Sequence, residues 1–258
     1  MPTDIRPIRS TSLSWTAVAL GLIASCFTLG VPATPARAST ADPAQVASGI
    51  FEHTNAFRQQ QGREKLKHDA RLTKAASAFA AYMARTGKYG HGADGRTPAQ
   101  RAEAQGYKYC TIAENIAFQY SSAGFTTEAL TADFMKGWRH SPEHRRNMLL
   151  TDITEFGVGV AHSADTGRYY AVQLFGRPES LRRSFKITNG AGVTVDYRLG
   201  DQTFSLPPRY TRTHRTCRDG TLHIQWPGGR KGTSVEPEDG DHFRIERGDG
   251  GTLRLEGG

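Results

Sequence analysis

Apolar residues recur along the first two thirds of this chain with the period of a helix, and along the last third with the period of a strand. Val46, Ile50, Thr54 and Phe57 fall on one face of a helical stretch over 44–61, with Gly62 as its stop. Leu72, Ala75, Ala76, Phe79, Ala80 and Met83 repeat the period before Gly87, and the alanines on that face let another layer approach closely. Thr97-Pro98 reads as an N-cap followed by proline at the first helical position, starting a short helix that runs to about Gln105. Leu130, Phe134 and Trp138 mark a fourth helix at i, i+4, i+8. Ser141-Pro142 repeats the cap-then-proline device for a fifth, ending near Leu150.

The period then changes to two. Phe156 to Ala161 is strand-like, and its glycines point to close backbone approach. Asp165-Thr166-Gly167 is a hairpin turn. Tyr169, Ala171, Gln173 and Phe175 then alternate with Tyr170, Val172 and Leu174. Helices first and an antiparallel sheet later predict an α+β layered domain over 44–178. From 184 to 258 there is no helical period. Val193, Val195, Tyr197 and Leu199 alternate, as do Leu222, Ile224 and Trp226, then Phe243 and Ile245, then Leu253 and Leu255. Turn signals such as Asn189-Gly190, Asp219-Gly220 and Asp239-Gly240 separate them, predicting a small all-β unit of about six strands, sandwich or open barrel.

Residues 1–38 stand apart. Arg6 and Arg9 precede an apolar run from Leu13 to Leu29, and Ala36-Arg37-Ala38 is a small-x-small cleavage signal, so 1–38 reads as a secretory signal peptide cut after Ala38, with 39–43 as linker. Ile23-Ala24-Ser25-Cys26 also resembles a lipoprotein box; the apolar run continues past Cys26, which favours the later cut and leaves a lipid anchor at Cys26 as the lesser reading. No other apolar run is long enough to span a bilayer. The expectation is a secreted or otherwise extracytoplasmic protein. Formal charge is +8, of which +6 lies beyond residue 38. That excess suits an anionic envelope surface and is too dispersed for a nucleic-acid site, with mild clusters only at 177–186 and 209–218. Cys110 and Cys217 remain after export. An oxidising compartment permits a bridge between them, and the spacing does not decide whether the sulfurs meet.

Three phrases carry the candidate chemistry: G-H-G-A-D-G-R-T-P at 90–98, A-E-N-I-A at 113–117 and W-R-H-S-P-E-H-R-R-N-M-L at 138–149. They supply His91 in a glycine-flanked loop, Glu114 on an extended segment, and His144 near the start of a helix. Two imidazoles and a carboxylate on one wall hold a divalent cation or move protons. A neutral imidazole is favoured at the positive helix end occupied by His144. The separations match no local metal motif, and taken singly each residue reads as a satisfied loop or cap residue. Ser141 with His144 and Glu114 forms a nominal hydrolytic triad, but a serine before Pro142 reads better as an N-cap whose oxygen is occupied. Asp94 reads as a turn residue, Arg145 and Arg146 as a basic rim, and Asn55 and Arg58 as a buried polar brace. His53, His140 and His162 have no evident partner.

These phrases, with G-V-G-V-A at 157–161 and Gln173-x-Phe175, resemble the CAP superfamily (cysteine-rich secretory proteins, antigen 5, pathogenesis-related-one proteins) in its bacterial form, over about 44–178. The resemblance implies an α-β-α sandwich with a central cavity, and matches His91, Glu114 and His144 to the family's cavity residues. Many eukaryotic members carry a second glutamate three residues past the tryptophan. Here that position is Ser141, which leaves three ligands rather than four, with Glu143 or a water as partial compensation.

The resemblance implies a binding module whose cavity (His91, Glu114, His144, Ser141) takes a small apolar, lipid-like or envelope ligand, with a divalent cation, zinc foremost, and no organic cofactor. Two alternatives compete. One is a metal-assisted peptidase or wall-cutting hydrolase with Glu114 as base. The other is an anchoring protein acting through the β-rich tail. No placed nucleophile or oxyanion device is visible, so the reading leans away from an enzyme.

Overall fold

The computed structural model describes residues 40–258; the leader, Cys26 and the cut after Ala38 lie outside the described residues. Helix α1 (Pro43–Gln60) begins at Asp42, whose carboxylate accepts the N–H groups of Ala44 and Gln45. A two-residue strand β1 (Lys67–His68), not foreseen from the sequence, leads to α2 (Ala70–Thr86), which Gly87 closes in the left-handed conformation at φ 68°. Helix α3 (Pro98–Ala104) opens on a reciprocal capping box between Thr97 and Gln100. Strand β2 (Tyr109–Gln119), helices α4 (Thr127–His140) and α5 (Pro142–Leu149), and strands β3 (Glu155–His162) and β4 (Tyr169–Pro178) complete the first domain.

The sheet order is β1-β3-β4-β2, with β1 parallel to β3 and the other pairs antiparallel. The alternation along β4 sorts two cores. Tyr169, Ala171 and Phe175 pack with Ile50, Phe134 and Trp138 on the α1/α4/α5 side. Tyr170, Val172 and Leu174 pack with Leu72, Phe79 and Tyr107 on the α2/α3 side. The result is an α-β-α sandwich. Its tightest seam is α2 on β3: a Cβ at Gly157 would sit 2.1 Å from Thr73 N, and at Gly159 2.3 Å from Ser77 N, so helix backbone lies directly on strand backbone.

The tail forms two four-stranded sheets that share one core, containing Phe185, Tyr197, Leu222, Ile224, Phe243 and Ile245. One sheet orders β10 (Thr233–Val235), β9 (Leu222–Gln225), β6 (Val195–Leu199) and β7 (Gln202–Leu206). The other orders β12 (Leu253–Glu256), β11 (His242–Arg247), β5 (Arg183–Asn189) and β8 (Thr211–Thr216). Eight strands replace the expected six. Strand β8, T-R-T-H-R-T, buries only His214 and offers no apolar alternation to read. Val193 is not a strand residue: it stays exposed and its carbonyl accepts from Asn189 Nδ2 in the turn before β6.

A disulfide joins Cys110 at the start of β2 to Cys217 after β8. Arg218 pairs with the buried Asp152 at 3.2 Å, and Asp219 accepts from Arg183 at 3.1 Å, so the same short loop carries covalent and ionic ties.

Candidate functional site

Strand β2 is an edge strand, and Glu114 lies in its middle with a side chain 1% exposed. A carboxylate that deep needs partners. Arg101, on α3 and itself buried, supplies them: its Nη2 donates to both carboxylate oxygens, at 3.0 and 2.8 Å. Its Nη1 donates to Asp94 Oδ1 at 2.8 Å, and its guanidinium lies 3.6 Å from the Phe79 ring centre. Asp94 is thus the turn residue expected, accepting from Arg96 N, and a partner of Arg101 as well. Arg101 was missed from the sequence. Its one signal was a basic residue beside Ala102 on the inward face of a short helix, where a buried cation demands an acid nearby.

His91 comes to the same carboxylate from the glycine-rich loop, with Nδ1 2.7 Å from Glu114 Oε1. Its ring is half-exposed, and Arg101 Nη2 also fastens its backbone carbonyl. The hydrogen bond to Glu114 raises its pKa above the ordinary histidine value, against burial and the neighbouring Arg101. Nδ1 is therefore the protonated nitrogen, and Nε2 is turned away from the carboxylate.

His144 stands on α5 across the strand. Its pKa is lowered, by burial first and by the His91 charge second, with Glu143 opposing. The direction matches the one expected at the helix end, with desolvation as its largest cause. A buried amide network sets its position: Asn115 Nδ2 donates to His144 O and to Gln173 Oε1, and Asn147 Nδ2 donates to Glu114 O and Asn115 Oδ1. Gln173 Nε2 then donates to Thr54 Oγ1 at 2.7 Å. The helix with His144 and the strand with Glu114 are one hydrogen-bonded unit. Gln173 had a signal, since it sits in the core-facing row of β4; Asn147 stood inside the third phrase, but no role was read from it.

Ser141 turns the corner between α4 and α5. Its N–H donates to Gly137 O, but its hydroxyl makes no cap bond, which corrects the expectation of an occupied N-cap oxygen. A proline at N1 does not prevent capping, as Asp42 and Thr97 show; what differs here is that Ser141 is at once the C-cap of α4 and the N-cap of α5. Among the described residues Ser141 has no hydrogen bond to His144, and no assembled triad is present. Asn55 and Arg58 form the expected brace. Asn55 bonds both backbone groups of Leu66, while Arg58 donates to the carbonyls of Glu64, Met148 and Leu150 and has its pKa lowered to about 10 by burial and by Arg63. Arg145 bonds Gln61, His140 bonds the carbonyl of Lys136, and His162 packs on Tyr169.

As a metal site the donor set is narrower than the three ligands expected. Both Glu114 oxygens are engaged, and among the described residues no cluster of three histidine, cysteine or acidic side chains is arranged to hold an ion. The residues fit a carboxylate behind a histidine, the pattern that orients an imidazole for ligation. The nitrogens available are His91 Nε2 and the His144 ring.

Beside the pair lies an apolar ledge. Phe118, four residues along β2 from Glu114 on the same face, is 39% exposed, and Tyr89, two residues before His91, is 48% exposed. Their rings meet edge to face at 5.1 Å, and Tyr89 Oη donates to Ile116 O.

Residues 51–175 match the model of the cysteine-rich secretory protein family, CAP. The uncharacterized protein YkwD of Bacillus subtilis (strain 168) is 29% identical over 152 residues, covering 57% of this chain and 55% of its own. The chain thus spans about half the length of that curated relative. Among solved structures, an outer surface protein of Borrelia burgdorferi is 20% identical with a TM-score of 0.46, over 55% of this chain and 99% of its own. An extracellular protein containing a SCP domain from Bacillus anthracis str. Ames is 24% identical with a TM-score of 0.45, over 52% of this chain and 41% of its own.

Proposed function

The chain carries a CAP domain of the bacterial type, and from that premise we propose that it is an exported binding protein whose β2-edge site takes a small apolar or lipid-like component of the envelope. The observation that carries the reading is the exposed Tyr89–Phe118 ledge alongside the His91–Glu114 pair. Partly exposed aromatic rings, with Arg168 lying 4.9 Å from the Phe118 ring centre, next to fixed polar groups are the composition of a site for an amphiphile, with rings for the tail and polar groups for the head. His91 Nε2 and the half-buried His144 ring then meet the head group, and Ser141 adds an uncapped hydroxyl on the same helix as His144. Export rests on the leader sequence and on relatives described as extracellular or outer surface proteins.

A divalent cation, zinc foremost, is held in this reading by His91 Nε2 and His144. Glu114 orients His91 rather than ligating, and the bound ion supplies positive charge to an anionic head group. Against a hydrolase stands the burial and pairing of Glu114: a general base must be reached by the proton it takes, and this carboxylate is 1% exposed with Arg101 on both oxygens and His91 on one.

Native mass spectrometry of the protein recovered from its own envelope tests the proposal. A retained amphiphile, lost in Phe118→Ser and His91→Ala, is the expected result. Ligand-free protein, or turnover of a peptide or wall fragment that vanishes in His91→Ala and His144→Ala, sinks it.

A further inference from the structure

A cleft of about 660 Å3 lies where the sandwich meets the β domain. One wall is the segment entering β1, where Leu66 turns into the core while Arg63, Lys65 and Lys67 remain exposed at every second position and line the cleft. The side chains of these three cations make no ion pair among the described residues. The other wall carries Arg177, 6% exposed, whose Nε has no hydrogen-bond partner and whose Nη2 reaches Asp219 only at 3.4 Å.

Of the acids that border the cleft, Asp219 is shared between Arg177 and Arg183. Glu155 accepts from the neutral Tyr107 hydroxyl at 2.8 Å and keeps its charge. Glu64 and Glu155 therefore stand against the three exposed cations and the buried Arg58 and Arg177, and the lining keeps a positive excess. The Cys110–Cys217 bridge and the Arg218–Asp152 pair tie the two domains together beside this cleft.

We propose that this cleft binds a linear polyanion bearing repeated phosphate groups. A single small anion gains little from any one exposed cation in water. A chain of phosphates meets the whole row at once, so each further contact is intramolecular and the affinity multiplies. Lysine serves phosphate as a point charge and arginine as a fork, and the row offers both. This site is separate from the β2-edge site and does not depend on the proposal for it.

The test measures binding of the full-length protein to inorganic polyphosphate, with orthophosphate and poly-glutamate as competitors. The expected result is polyphosphate binding that weakens as salt rises. Orthophosphate competes at least a hundredfold more weakly, and poly-glutamate at least tenfold more weakly. The triple variant R63Q/K65Q/K67Q loses at least tenfold in affinity. A control triple K186Q/R215Q/R244Q, removing equal charge from exposed positions on β5, β8 and β11, stays within twofold of the parent. Equal loss in both triples means diffuse attraction by net charge and overturns the proposal. So do orthophosphate binding as tight as polyphosphate, poly-glutamate binding as tight, and no polyphosphate binding at all.

Discussion

The two domains bury polar groups for opposite ends. In the sandwich, Arg101 and Glu114 are buried at the β2 edge of the sheet and tied to each other, and His91, which they position, stays half in solvent. In the β domain, Tyr197 and His214 are buried with Tyr197 Oη 2.6 Å from His214 Nε2, and Phe185 and Phe204 close over the imidazole. The first arrangement spends buried polarity to hold an exposed ring in place. The second seals the ring away. A histidine in contact with a polar partner is therefore no sign of a site by itself; what distinguishes His91 from His214 is which side of the partner water can reach.

The comparison can be broken most forcefully by cutting the tie between its two halves. Cys110→Ser removes a bridge spanning 107 residues, and the chain-entropy model for a loop of that length puts the loss at about 4–5 kcal/mol. Urea denaturation should then show two transitions in place of one, the β domain melting apart from the sandwich. Arg101→Ala should cost about 3–5 kcal/mol, because it leaves Glu114 buried without its cation. Tyr197→Phe, the matched deletion in the other domain, leaves a neutral imidazole short of one bond and should cost about 1–3 kcal/mol. If equilibrium unfolding returns equal losses for these two, the contrast between a charged brace and a neutral one fails. Gly159→Ala drives a methyl onto the backbone of α2 and should cost about 3 kcal/mol with no change in any polar group, marking what packing alone contributes.

The smallest effect is the most discriminating. The raised pKa of His91 means that the folded state binds its proton more tightly than the unfolded chain does. Its contribution to stability is complete below the ordinary histidine value of about 6.5 and is lost as pH rises through the raised pKa. His214 is lowered, by burial first and Arg212 second, so its contribution is complete above about 6.5 and is lost as pH falls toward the lowered pKa. Imidazole NMR titrations should place the two midpoints on opposite sides of that value. Midpoints on the same side would remove the distinction drawn between the domains.

Much of the sandwich was legible because its signals are local. The helical periods, the Thr97 cap, the Gly87 stop and the two-faced alternation of β4 each depend on neighbours a few residues apart. The paired glycines of β3 announced a close approach without saying to what, and α2 turned out to be the neighbour. Legibility failed where a residue's partner was distant and its own stretch polar. Strand β8 carries no apolar row, Ser141 satisfied a cap pattern that the corner geometry then denied it, and Arg101 lay in a helix whose only inward neighbour was an alanine.

By itself the amino-acid order determined which segments coil and which extend, where most of them stop, and which side chains face inward, since backbone sterics and the burial of apolar surface act over short spans of chain. Only the folded molecule decided that Arg101 takes both oxygens of Glu114, that His91 meets that carboxylate while His144 on α5 comes near enough to feel the His91 charge, and that Arg63, Lys65 and Lys67 line one cleft with Arg177. The strength of a charge's interaction depends on its distance to other charges and on the water between them, and neither quantity exists until segments far apart in the chain have packed together.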